Sequence, residues 1–137
     1  KLVSLDESVT KYDIISLHAR GVKANDKLID KNALAKMKDD ALIVNTARGI
    51  LIDEDALYEE LKTGRLRAAL DVFRTEPLPL DNPLRELDNV VVTPHIGGFT
   101  YDSREHAGEL VFNELKRHFS GKELKHQADW KNLSHRA

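Results

Sequence analysis

The stretch Ala41-Leu42-Ile43-Val44-Asn45-Thr46-Ala47-Arg48-Gly49 changes character in one step. Its apolar first half, with β-branched Ile43 and Val44, reads as a buried strand. Its second half is a short polar loop in which an arginine precedes a glycine. Three other segments repeat the pattern. Asp13-Ile14-Ile15-Ser16-Leu17-His18 runs into Ala19-Arg20. Ala68-Ala69-Leu70-Asp71-Val72-Phe73 runs into Arg74-Thr75-Glu76-Pro77. Val90-Val91-Val92 runs into Thr93-Pro94-His95-Ile96-Gly97-Gly98.

Between these runs the spacing turns helical. Asp30 predicts a cap for a helix over Lys31 to Met37, and Asp53 for one carrying Ala56, Leu57 and Leu61 and stopped by Gly64. Pro77, Pro79 and Pro83 predict a stiff loop where neither helix nor ladder continues. Ser103 to Phe119 reads as a long amphipathic helix closed by Gly121. Strands alternating with helices predict an α/β fold with a parallel sheet, and continuous apolar strands predict cover on both faces. The loops at the carboxyl ends of parallel strands share one edge, where ligands bind in open sheets.

The bulk numbers narrow the function. A chain of 137 residues with 41% hydrophobic and 32% charged residues is a folded domain and not a disordered one. A net charge of -2 gives no electrostatic case for nucleic acid or an anionic membrane. No apolar run approaches the roughly 20 residues that cross a bilayer. The absence of cysteine excludes disulfides, thiolate catalysis and Cys-ligated zinc, and permits a cytoplasmic setting.

Singly, each rim residue has an ordinary reading. His18 and His95 read as surface histidines, Arg48 as a solvated turn residue, Glu76 as a loop carboxylate, and Gly97-Gly98 as a tight turn. Asp71 inside an apolar strand needs partners. Together, an arginine, a glutamate and a histidine at three strand ends describe a site. A glutamate beside a histidine favours the imidazolium and fixes its tautomer, giving a proton donor and acceptor near neutral pH. An arginine matches a carboxylate or polarises a carbonyl. That pairing suits 2-oxo-acid and 2-hydroxy-acid chemistry, whose hydride must come from a cofactor.

With these residues in place, the sequence resembles the D-isomer-specific 2-hydroxyacid dehydrogenases. The stretches that carry the match are LIVNTARGILIDEDAL (Leu42 to Leu57), RAALDVFRTEPLP (Arg67 to Pro79) and NVVVTPHIGGFT (Asn89 to Thr100). The resemblance runs from about Asp6 to Phe119 and implies a Rossmann-type parallel sheet with flanking helices. It implies that Arg48 holds the substrate carboxylate and carbonyl, that His95 exchanges the proton, and that Glu76 pairs with His95. It implies NAD as cofactor, with NADP as the alternative. Asp71 would bond the nicotinamide carboxamide, and Thr46, Ala47, Arg48 and His95 would line the nicotinamide end. His18 and Ala19 would lie beside the adenosine, and Gly97 and Gly98 would let the backbone approach the ring. It also implies a 2-hydroxy or 2-oxo acid substrate, no metal, and a cytoplasmic homodimer. Formate dehydrogenases share the fold but pair their histidine with glutamine, so Glu76 argues against that branch.

The departures shape the expectation further. The family carries a G-x-G-x-x-G turn after the first strand of its nucleotide domain, and no G-x-G occurs in this chain. The chain therefore reads as incomplete, lacking the first βαβ unit. Residues 1–119 would be the C-terminal part of the dinucleotide domain, and 120–137 a polar tail returning to a substrate domain. The edge of the strand at Asp13 to His18 would then be open to aggregation. Two readings stand beside the oxidoreductase: a dinucleotide-sensing binding protein of the corepressor type, and a truncated chain that does nothing alone.

Overall fold

The computed structural model describes residues 1–127. They fall into two compact units, one of residues 1–95 and one beginning at Ile96. Residues 128–137 of the expected tail lie outside the described residues.

In the first unit, β1 (Ile14–Leu17), β2 (Leu42–Asn45), β3 (Arg67–Leu70) and β4 (Val90–Val92) form one parallel sheet in chain order. The α/β reading with a Rossmann-type sheet holds. Helices α1 (Leu5–Lys11), α2 (Lys31–Lys36) and α3 (Glu54–Lys62) start on Ser4, Asp30 and Asp53, whose side chains accept backbone N–H groups of the first turn. Each such cap is worth about 1 kcal/mol. The register aligns Ile15, Ile43, Ala68 and Val90 in one row, and Leu17, Asn45, Leu70 and Val92 in the next. These rows meet Leu34, Leu57, Leu61 and Leu66 in a single buried cluster.

The structure corrects three expectations. Only one face of the sheet is buried: exposed and buried residues alternate along β1, and Ile14 and Val91 are 62% and 64% exposed. Strands laid down in simple sequence order with right-handed crossovers send their connecting helices to the same side. The proline loop holds a 3-10 turn at Pro83–Glu86, because a proline at the first helical position loses no intrahelical bond. The paired register of the third strand ends at Leu70 and its last ladder bond is donated by the Asp71 N–H, so Val72 and Phe73 belong to the loop above the sheet.

The second unit contains α4 (Tyr101–Phe119), capped by the Thr100 hydroxyl, which accepts from the Ser103 N–H at 3.1 Å. None of its residues is buried, and Phe119 is 82% exposed. Among the described residues, no helix is long and apolar enough to cross a membrane.

Arg65 fastens the two crossover helices at the edge away from the rim. Its guanidinium pairs with Glu60 at 2.7 Å and donates to the carbonyls of Met37 and Leu34, both at 2.6 Å. Charge-assisted bonds to helix-end carbonyls are worth more than neutral ones. Arg65→Ala is expected to lower unfolding stability by about 2 kcal/mol in urea titrations. A loss below about 0.5 kcal/mol would show these to be solvated surface contacts.

Candidate active site

The rim is built from Asn45 outward. This residue ends β2 in the same row as Leu17 and Leu70 and is 1% exposed. A buried amide must find partners. Its Nδ2 donates to the Arg48 carbonyl at 2.9 Å, and its Oδ1 accepts from the Ala47 N–H at 3.1 Å. The loop of Thr46, Ala47 and Arg48 is thereby closed over the strand end. Gly49 follows, and a Cβ there would land on the carbonyl carbon and oxygen of Phe73. The loops after β2 and β3 are thus in backbone contact. Arg74 ties them further, its Nε donating to the Ile52 carbonyl and its Nη2 to the Ile50 carbonyl, both at 3.4 Å.

Phe73 then positions Glu76. The Phe73 N–H donates to Glu76 Oε1 at 2.9 Å, while Glu76 Oε2 lies 2.6 Å from His95 Nδ1. His95 holds a left-handed backbone with φ 56°, uncommon for a residue with a side chain and met most often at functional turns. Burial is the largest influence on the Glu76 carboxyl and pushes its pKa up. The His95 hydrogen bond, the Phe73 N–H, and the charges of His95 and Arg48 together outweigh burial and hold it below the usual carboxylate range. Arg48, Glu76 and His95 line one open cleft of about 490 Å³, shared with Gly49, Ile50, Phe73 and Arg74.

A second set lies one position past the last paired row of the sheet: His18, Thr46, Asp71 and Thr93. Strand alternation turns this row toward the face the helices leave uncovered. The ladder persists there, with Asp71 N–H donating to the Asn45 carbonyl and Thr93 N–H to the Leu70 carbonyl, both at 2.9 Å. Asp71 is buried, and its carboxylate accepts the Thr93 hydroxyl at 2.5 Å. His18 Nε2 lies 2.9 Å from Ser16 Oγ, and Ala19 packs on the core.

The structure therefore brings Arg48, Glu76 and His95 into one cleft. Asp71, Thr46 and His18 share a row beside it, and Ala47 is held by Asn45. Gly97 and Gly98 belong to the second unit, where a Cβ at Gly98 would meet no atom within 4 Å. Sequence reasoning missed Asn45, Gly49 and Thr93. A polar residue at the end of an apolar run is the signal that could have found Asn45.

Comparison with known proteins places this geometry among relatives. Residues 1–97 match the family model described as D-isomer specific 2-hydroxyacid dehydrogenase, NAD binding domain. The chain is 43% identical over 130 residues to a D-3-phosphoglycerate dehydrogenase of Methanocaldococcus jannaschii, covering 94% of this chain and 25% of that one. It is 47% identical over 121 residues to a hydroxypyruvate reductase of Thermotoga maritima, covering 82% of this chain and 39% of that protein. The structure of a glyoxylate reductase from Paecilomyes thermophila superposes with a TM-score of 0.81 at 37% identity, covering 94% of this chain and 39% of the other. The chain thus spans a quarter to two fifths of the length of these relatives.

The lowered Glu76 pKa has a thermodynamic consequence. A carboxyl whose pKa is depressed by folding stabilises the fold above its unfolded value, about 4.3, and loses that contribution as pH falls through the folded value. The stability gap between the native chain and Glu76→Gln is expected to shrink as pH falls below about 5. Urea midpoints measured between pH 7 and pH 3 check this, and a gap that does not change with pH would contradict it.

Proposed function

The chain belongs to the D-isomer-specific 2-hydroxyacid dehydrogenase family, with the family's NAD-binding domain over residues 1–97, and on that premise we propose that it supplies the catalytic rim of an NAD(H)-dependent oxidoreductase interconverting a D-2-hydroxy acid and a 2-oxo acid. The observation that carries this reading is the convergence of Arg48, Glu76 and His95 on one cleft, with Glu76 bonded to His95 Nδ1 at 2.6 Å.

Arg48 binds the substrate carboxylate with its planar fork and polarises the neighbouring carbonyl. A charged carboxylate is a stronger acceptor than the neutral Ala47 carbonyl to which Arg48 Nη1 now donates at 2.7 Å. Glu76 fixes the tautomer and orientation of His95 by taking Nδ1, which leaves Nε2 to exchange the proton with the substrate oxygen. A nicotinamide dinucleotide, NAD or alternatively NADP, supplies the hydride when bound.

The polar row on the uncovered face fits such a cofactor. A buried carboxylate offers lone pairs for more than one donor, so Asp71 can receive an amide while keeping the Thr93 hydroxyl. Thr46, Ala47 and Asp71, with Arg48 and His95, would hold the nicotinamide end. His18 and Ala19 would hold the adenosine side. The reading includes a cytoplasmic homodimer; the exposed Phe112 and Phe119 of α4 favour a covering partner.

Two experiments test the reading. The 137-residue chain alone is expected to show no NADH oxidation with glyoxylate, hydroxypyruvate or pyruvate, since no G-x-G cradle for a pyrophosphate occurs in it. Turnover that disappears in His95→Ala would overturn that expectation. In the full-length gene product, Arg48→Ala is expected to raise KM for the 2-oxo acid and lower kcat about 10²-fold, because one group both binds and polarises. A fall in kcat with an unchanged KM would remove the carboxylate-binding role.

A further inference from the structure

Gly21 stands in the loop after β1, and its backbone does not require glycine: the positive-φ glycines are Gly64 and Gly121. What demands a bare backbone at this position is Arg48. A Cβ at residue 21 would collide with Arg48 Cγ, and would lie 2.8 Å from Arg48 Cβ and 3.3 Å from Arg48 Cδ. The contact falls along the aliphatic stem and not at the mobile tip. Arg48 Cβ cannot retreat freely, because its backbone carbonyl is held by Asn45 Nδ2 at 2.9 Å. Rotation at the first torsion would free Cγ but not Cβ, so a side chain at residue 21 must also push the Arg48 backbone, and both movements displace the guanidinium.

We propose that Gly21 is a positioning residue for Arg48: its bare backbone seats the arginine stem and sets where the guanidinium meets the substrate carboxylate. The inference rests on the role of Arg48 given above. It links the loop after β1, which carries His18 and Ala19, to the substrate cleft through one steric contact. Gly98 gives the contrast, since a Cβ there meets nothing within 4 Å. Space alone therefore separates a glycine that packs from one that does not.

A double-mutant cycle in the full-length gene product tests the proposal. Gly21→Ala is expected to keep the native circular dichroism while lowering the thermal midpoint, since the added Cβ overpacks the Arg48 stem. It is expected to raise KM for glyoxylate or hydroxypyruvate about tenfold and to lower kcat with it. Gly21→Ser carries the same Cβ and is expected to reproduce the defect. In an Arg48→Ala background the same change is expected to move neither constant more than about twofold. A second readout needs no turnover. In arginine side-chain ¹⁵N spectra of the 137-residue chain, Gly21→Ala is expected to shift the Arg48 Nε–H signal and leave that of Arg65, which Glu60 holds. Native-like kinetics in Gly21→Ala beside an impaired Arg48→Ala would overturn the Gly21 assignment alone, as would equal losses in both backgrounds or an unmoved Arg48 signal. A native-like Arg48→Ala would overturn the role of Arg48 beneath it.

Discussion

The peptide of Phe73 is the point on which the rim turns. Its carbonyl occupies the space where a Cβ of Gly49 would stand, and its N–H holds Glu76. Neighbouring strands lie about 4.8 Å apart, but the loops that leave them diverge unless something pins them. Here the pin is backbone against backbone. The loop that carries Arg48 cannot move away from the loop that carries Glu76 without opening that contact. Any residue other than glycine at position 49 would force the two loops apart. The cleft shared by Arg48, Glu76 and His95 follows from this one approach.

The sequence made the strands legible because each is an uninterrupted apolar run, and the caps Asp30 and Asp53 marked their helices correctly. It also made the reactive side chains legible, since ionisable residues at strand ends are few. What stayed hidden depends on neighbours distant in sequence. Ile14 and Val91 are chemically the same as Ile15 and Val90, yet they face out, because the direction in which the crossovers stack decides which face is covered. Helix α1 escaped notice because seven residues offer too few apolar positions to show a period, although Ser4 signalled its start. Asn45 read as the last letter of a strand. Only the register, which sets it beside Leu17 and Leu70, reveals an amide with nowhere to go but the loop above.

The same dependence on neighbours explains how positions 21 and 49 differ from ordinary turn glycines. Neither has the positive φ that usually explains a glycine. Each is small because another part of the rim presses on it: the Arg48 stem on one, the Phe73 carbonyl on the other. Arg48 is therefore constrained from three directions, by Asn45 beneath its backbone, by Gly21 along its stem and by Gly49 behind its loop. A side chain with so much rotameric freedom gains orientation from such packing at little further entropic cost on binding.

Glu76 shows how far this preparation goes and where it stops. Partial burial alone would raise its pKa, and the hydrogen bonds from His95 and Phe73 with the charges of His95 and Arg48 reverse that, so the carboxylate is charged and anchored before any ligand arrives. His95 adopts a left-handed backbone, which costs on the order of 1 kcal/mol, and the 2.6 Å contact with that carboxylate offsets it. Yet the His95 side chain remains 46% exposed and the Arg48 guanidinium is bonded to its own loop. In a cleft this open, water competes for both groups and weakens every electrostatic contact made there. The rim thus fixes direction and charge, while exclusion of water must come from whatever closes over the cleft.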